Sequence, residues 1–156
     1  KPDHGGDTLF ASLSAAFSDL DKSMQEQLEK LNAIHSFEHG FRESLAEEGG
    51  RERLAQALKD NPPISHPVVK VHPITNKKIL YVNRLFTSHI QGMDTNASEE
   101  LLEFLFNHIQ KDKFVYRFSW ESNSIAFWDN RSVLHKPVND YWPQLRRMER
   151  ITIEGN

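Results

Sequence analysis

Near the end of the chain, Trp128-Asp129-Asn130-Arg131 is followed by a lone His135 and then by Arg146 and Arg150. A histidine can bind a metal through either ring nitrogen. A guanidinium pairs with a carboxylate or sulfonate through two parallel hydrogen bonds, which fixes orientation as well as charge. The combination suggests a site where a metal and an anionic organic molecule meet. His135 follows the strand-like run Ile125-Ala126-Phe127-Trp128, and a loop histidine at a strand end is well placed to ligate a metal. A surface histidine is the plainer alternative. Arg146 and Arg150 are four apart, so a strand would put them on one face, roughly 13 Å apart at the backbone. A solvated strand face is the alternative there, and Arg147 and Glu149 fit it better.

Other residues offer weaker signals. Thr8 places a hydroxyl beside Gly5-Gly6-Asp7, a flexible turn. Phe41 and Phe86 lie in irregular stretches where aromatics wall pockets, although such residues are more often core. His35 and His39 have the spacing of two ligands on a helix, without a third nearby. His66 and His72 flank a strand and serve the fold or the surface. His4 and Asp7 are separated by Gly-Gly, which reads as a turn before a metal pair. Asp129 and Asp140 have no reciprocal partner that marks them as acid and base. The chain contains no G-x-S-x-G, P-loop or dinucleotide glycine motif.

These residues must be positioned by a mixture of helices and strands. Residues 10–17 read as a short helix after the turn at 1–8. Asp19 or Asp21 caps a second helix in which Leu20, Met24, Leu28 and Leu31 recur at helical spacing. Residues 35–50 look irregular, and 51–59 form a charged helix that stops before Asn61-Pro62-Pro63. Strands over 68–71 and 79–82 flank a turn at Thr75-Asn76-Lys77. Asn96 with Glu99 resembles a capping box for a helix whose apolar face is Leu101, Leu102, Leu105, Phe106 and Ile109. Residues 114–120 alternate with period two. Buried strands are expected over 124–129 and 147–153. The order points to a sheet-on-sheet core with helices outside.

The 156 residues suffice for one domain with a real core. Hydrophobic residues at 38% and charged residues at 26% fit a soluble globular protein. A net charge of −3 without a basic run makes nucleic acid and an anionic membrane surface poor partners. No apolar run approaches the ~20 residues that span a bilayer, and no signal-like start is present. The chain has no cysteine, so thiolate chemistry and disulfides are excluded. A cytoplasmic protein is the simplest expectation. The start at Lys1 reads as a piece of something longer.

Five stretches closely resemble the taurine dioxygenase family of iron(II)- and 2-oxoglutarate-dependent oxygenases. They are "GGDTLF" at 5–10, "NPPISHPVV" at 61–69, "HPVVKVHPITNKKILYVNRLFT" at 66–87, "FWDNRSVLH" at 127–135 and "DYWPQLRRMERITIEGN" at 140–156. The W-D-N-R…H…R…R pattern is specific, whereas "GGDT" alone is weak. The resemblance implies a mixed, mainly β fold: a double-stranded β-helix (jelly-roll) core with flanking α-helices, here an incomplete domain. Residues 1–156 would form the later portion of a single catalytic domain.

The resemblance also implies roles. Iron(II) would be held by two histidines and a carboxylate, with His135 matching the distal histidine. Arg146 and Thr8 match residues that bind 2-oxoglutarate, and Arg150 matches the arginine that holds a substrate sulfonate. Phe41 and Phe86 match aromatics near the substrate, and Trp128 a tryptophan near the iron. The implied partners are molecular oxygen and a small anionic substrate, taurine first, with hydroxylation releasing sulfite, succinate and carbon dioxide. Alkyl sulfate esters and aryloxyacetates are the nearest alternative substrates, and a homo-oligomer stays open. The family's His-x-Asp ligand motif, which precedes the "GGDT" turn, is absent. Truncation is the favoured expectation, and a non-catalytic barrel without a complete iron site is the rival.

Overall fold

A computed structural model describes residues 2–153; Lys1 and residues 154–156, the end of the last family-like stretch, lie outside the described residues. The chain opens with strand β1 (Thr8–Ser12), helix α1 (Leu13–Ser18) and helix α2 (Lys22–Leu28). Strand β2 (Asn32–His35) leads into four short helices, α3 (Phe37–Gly40), α4 (Arg42–Ala46), α5 (Gly50–Arg53) and α6 (Ala55–Asp60). Strands β3 (Ile64–Pro67), β4 (Val69–Val71), β5 (Lys78–Leu80) and β6 (Thr87–Ile90) follow. The long helix α7 (Thr95–Ile109), a 3₁₀ turn (Asp112–Phe114), β7 (Val115–Phe118) and β8 (Val133–Pro137) complete the order. Among the described residues all strand pairing is antiparallel, in three small sheets ordered β7-β1-β8, β3-β2-β6 and β4-β5.

The core lies between α1, α7 and the strands around them. Leu102, Leu105, Phe106 and Ile109 form the buried face of α7, and Leu28, Leu80 and Ile90 close over it from other elements. Each fully buried aliphatic side chain contributes roughly 1.5–3 kcal/mol. α7 starts at Asp94, whose carboxylate accepts from the backbone N–H groups of Asn96 and Ala97. The expected cap at Asn96 is therefore displaced by two residues, because a carboxylate already satisfies those orphan donors. Ser98 Oγ then accepts from the Ile90 amide at 2.8 Å inside the protein, which fixes β6 to α7.

Several expectations hold. α2 is capped by Asp21, and β4 and β5 form the hairpin with Asn76 in the left-handed region at φ 56°. Others are corrected. The stretch read as one helix over 10–17 is split: residues up to Ser12 are strand, and Ser12 Oγ caps α1 by accepting from Ala15. The stretch read as irregular over 35–50 holds α3 and α4, and the helix expected over 51–59 breaks at Leu54. Neither 124–129 nor 147–153 forms a strand. Ile125, Phe127, Ile151 and Ile153 are 74–90% exposed, not buried. A period-two apolar run becomes a strand only when a neighbour completes its ladder, and among the described residues no strand pairs with either segment. No helix of the described residues is long and apolar enough to cross a membrane.

Candidate functional site

The sheet β7-β1-β8 carries the site. In the β1–β8 ladder Phe10 lies opposite His135, and directly opposed residues share a face. Thr8, two residues before Phe10, shares that face by strand periodicity. Trp128 closes over it, with its ring centroid 5.1 Å from Phe10 and 5.0 Å from His135. His135 is thus a strand residue within β8, which corrects the reading of a loop histidine at a strand end. β1, paired on both sides, presents Thr8 and Phe10 from the centre of the sheet, while His135 comes from the edge strand β8, held there by its ladder to β1.

The Thr8 hydroxyl has a defined orientation. Thr8 is 5% exposed. Trp120 Nε1–H donates to its Oγ1 at 2.9 Å and Arg146 Nη2–H donates to the same oxygen at 3.3 Å. A hydroxyl has two lone pairs and one hydrogen. Both lone pairs are engaged, so the hydrogen is left to donate, next to a guanidinium. A hydroxyl donor beside a cation is built to receive an anion. Arg146 is aimed by a further bond from Nε to the Gly6 carbonyl at 2.9 Å.

The Gly5-Gly6 turn exists to permit this approach. Both residues are left-handed, at φ 68° and 73°. A Cβ on Gly6 would lie 3.1 Å from Arg146 Cδ, and one on Gly5 would run into the Asp140 carboxylate. Asp140 accepts from the Gly6 amide at 2.7 Å, and that amide, ahead of the Arg117 charge, holds its carboxyl below the usual range. Arg117 Nε donates to Asp7 at 2.6 Å and Nη2 to Asp140 at 3.3 Å. These bonds link the turn, β7 and the segment that carries Arg146.

Burial first, and the Arg150 charge second, push the half-buried His135 imidazole below its ordinary value. A neutral imidazole keeps a lone pair for a metal, whereas an imidazolium does not. Arg150 is exposed and lies outside any strand, so the expected shared strand face with Arg146 is absent. Among the described residues no three His, Asp or Glu side chains cluster to hold a metal, and His135 stands there as a single potential metal donor.

Thr8, Arg146, Trp128 and His135 are therefore brought to one sheet. Phe41 and Phe86 face each other at 6.2 Å, beside Phe37, and neither ring pairs with Trp128 or His135. His35 and His39 do not share a helix, because Ser36 caps α3 and leaves His35 at the end of β2. His35 packs instead on His66 and Tyr81. His4 contacts Gln144, and Asp7 is engaged by Arg117. His72 is buried and bonds Asp129. Trp120 and Phe10 were not singled out from sequence. Trp120 belonged to the alternating 114–120 run, and its indole N–H, which seeks a partner when buried, was the available signal.

Fold and site together define a mixed α/β protein built on small antiparallel sheets, with a neutral histidine and an anion-ready threonine–arginine pair on one of them. The chain belongs to the family described as "Taurine catabolism dioxygenase TauD, TfdA family", whose model matches residues 1–152. It is 40% identical to an alpha-ketoglutarate-dependent sulfonate dioxygenase of Saccharomyces cerevisiae over 94% of this chain and 34% of the relative. It is 34% identical to an alpha-ketoglutarate-dependent sulfate ester dioxygenase of Pseudomonas putida over 99% of this chain and 52% of the relative. The crystal structure of a taurine dioxygenase from Burkholderia xenovorans superposes with a TM-score of 0.73 at 32% identity, covering 89% of this chain and 44% of that one. The chain spans about a third to a half of the length of these relatives.

Proposed function

We propose that this chain is the cosubstrate-binding part of an iron(II)- and 2-oxoglutarate-dependent dioxygenase that hydroxylates a small sulfonate such as taurine and releases sulfite. The observation that carries the reading is the Thr8 hydroxyl, whose lone pairs are held by Trp120 and Arg146, which leaves its hydrogen free to donate beside the guanidinium. In this reading the anion they receive is the far carboxylate of 2-oxoglutarate. The names of the relatives, which specify alpha-ketoglutarate-dependent sulfonate and sulfate ester dioxygenases, support it. The three small sheets would be parts of a double-stranded β-helix, and the whole chain part of one catalytic domain.

His135 is the chain's own iron ligand in this proposal, and its neutral imidazole fits that use. The resemblance would place the other two ligands in a His-x-Asp motif before the Gly5-Gly6 turn, a motif that this sequence does not contain. The chemistry supplied when iron(II) and 2-oxoglutarate are bound is oxygen activation coupled to decarboxylation of the cosubstrate to succinate. The residues of this chain do the binding and orienting. Arg146 and Thr8 neutralise and anchor the far carboxylate. Trp128 and Phe10 pack beside the imidazole and wall one side of it. Arg150, an exposed cation whose charge acts on His135, is assigned to the substrate anion, and Phe41 and Phe86 to the substrate's apolar part.

The test is succinate formation by the intact protein with iron(II), oxygen and 2-oxoglutarate over a panel of sulfonates, alkyl sulfate esters and aryloxyacetates. Taurine or another sulfonate should give the highest rate. A strong preference for an aryloxyacetate refutes the sulfonate assignment, and no succinate with any substrate returns the non-catalytic reading.

A further inference from the structure

His72 sits at the start of the turn between β4 and β5, where it is 4% exposed. Its backbone closes the hairpin: its amide donates to the Lys77 carbonyl at 2.8 Å and its carbonyl accepts from Asn76 at 2.9 Å. Its ring is fixed as well. Nδ1 accepts from the amides of Ile74 and Thr75 at 3.3 and 3.2 Å. Nδ1 therefore carries no hydrogen, and Nε2 does. That Nε2–H points at Asp129 Oδ2 at 2.9 Å.

Asp129 adjoins Trp128, the ring that covers His135. Its carboxylate also accepts from the backbone and side chain of Arg131, and its carbonyl accepts from Ser132. Arg131 is only two residues away, so it stiffens the turn without attaching it to anything. His72 is 57 positions away and is the side-chain bond that ties this turn to the hairpin. Ile125 and Phe127, just before Trp128, are 90% and 87% exposed and lack a ladder, so the chain on that side does not hold Trp128 in place.

We infer that His72 is a positioning residue for the metal-binding face: through Asp129 it holds Trp128 against His135 and so fixes the direction of the imidazole. The inference rests on the reading of His135 as a metal ligand. A group hydrogen-bonded to a metal ligand typically changes metal affinity by roughly 10- to 100-fold when lost, and His72, which acts through Asp129 and the Trp128 ring, should fall at or below the lower end of that range. His72→Gln and His72→Asn separate the two ends of the bridge. The Gln amide nitrogen reaches the Nε2 position and can still donate to Asp129. The Asn side chain reaches only the Nδ1 position, so it keeps the hairpin bonds and loses Asp129.

Anaerobic iron(II) titration of the intact protein, without cosubstrate, reads the difference. His72→Asn should bind iron(II) more weakly, by roughly 3- to 10-fold, while His72→Gln should stay near the parent. Asp129→Asn, which turns an amide N–H toward the fixed Nε2–H, should weaken binding as His72→Asn does, and it tests the same bond if a His72 variant does not fold. Equal affinities for the Gln and Asn variants, or parental affinity for Asp129→Asn, overturn the inference. A merely structural His72 would lower unfolding temperature in both variants without separating their affinities. His135→Ala is the control: parental iron affinity there refutes the ligand reading itself, whereas its loss with His72→Asn unchanged refutes only the positioning role.

Discussion

Removing Arg146 tests the anion cradle most directly. Arg146→Ala deletes a charged donor that would meet the far carboxylate, and a hydrogen bond to a charged group contributes about 1.5–3 kcal/mol. At 1.4 kcal/mol per factor of ten, 2-oxoglutarate should bind roughly 12- to 150-fold more weakly. Thr8→Val keeps the shape and removes the hydroxyl, at about 0.5–1.5 kcal/mol, or roughly 2- to 12-fold. The two side chains are in contact through Nη2 and Oγ1 at 3.3 Å, so the double variant should depart from additivity by about 0.5 kcal/mol or more. Calorimetric titration of 2-oxoglutarate into the metal-loaded intact protein, with oxygen excluded, gives all four corners of the cycle. Arg146→Ala also frees the Gly6 carbonyl, so thermal unfolding of each variant separates a lost fold from a lost contact. A folded Arg146→Ala protein with parental 2-oxoglutarate affinity refutes the reasoning, and so does strict additivity.

Trp120→Phe should weaken 2-oxoglutarate binding by roughly 2- to 12-fold, because the freed lone pair lets the Thr8 hydroxyl rotate away from the anion; the same titration checks it, and an unchanged affinity rejects the oriented hydroxyl. Burial, with the charges of His66 and Lys70 behind it, depresses His35 to about 4 from an ordinary value of 6.5. The unfolded chain then takes up this proton first, so the stability that His35 contributes is full above about pH 6.5 and is lost as pH falls toward 4. Urea unfolding across that window should show a shallower pH slope for His35→Phe than for the parent, and parallel slopes would count against the assignment. Leu105→Ala, at a side chain with no exposed surface, should lower unfolding free energy by about 2–5 kcal/mol in the same assay.

Local signals were legible where the interactions are local. The apolar stripe of α7, the Asp21 cap of α2 and the hairpin with Asn76 at its turn all depend on residues within a few positions of one another. The strands β2, β3 and β6 were not, since each depends on partners far along the chain. The same reason explains the two failed strands. Residues 124–129 and 147–153 have the right alternation, but alternation does not supply a neighbouring backbone.

The site divides along that line too. Residue type and spacing marked His135, Arg146 and Arg150 as a metal donor and two anion grips, and the stretches around them carried the family. Geometry made the rest. Only the folded chain brings Trp120 and Arg146 to one hydroxyl 112 and 138 positions away, leaves its hydrogen free to donate, and sets His135 inside a strand rather than on a loop. Side-chain chemistry is a property of each residue and can be read singly. The direction of a hydrogen or a lone pair is set by whatever lies beside it, and here those neighbours come from distant parts of the chain.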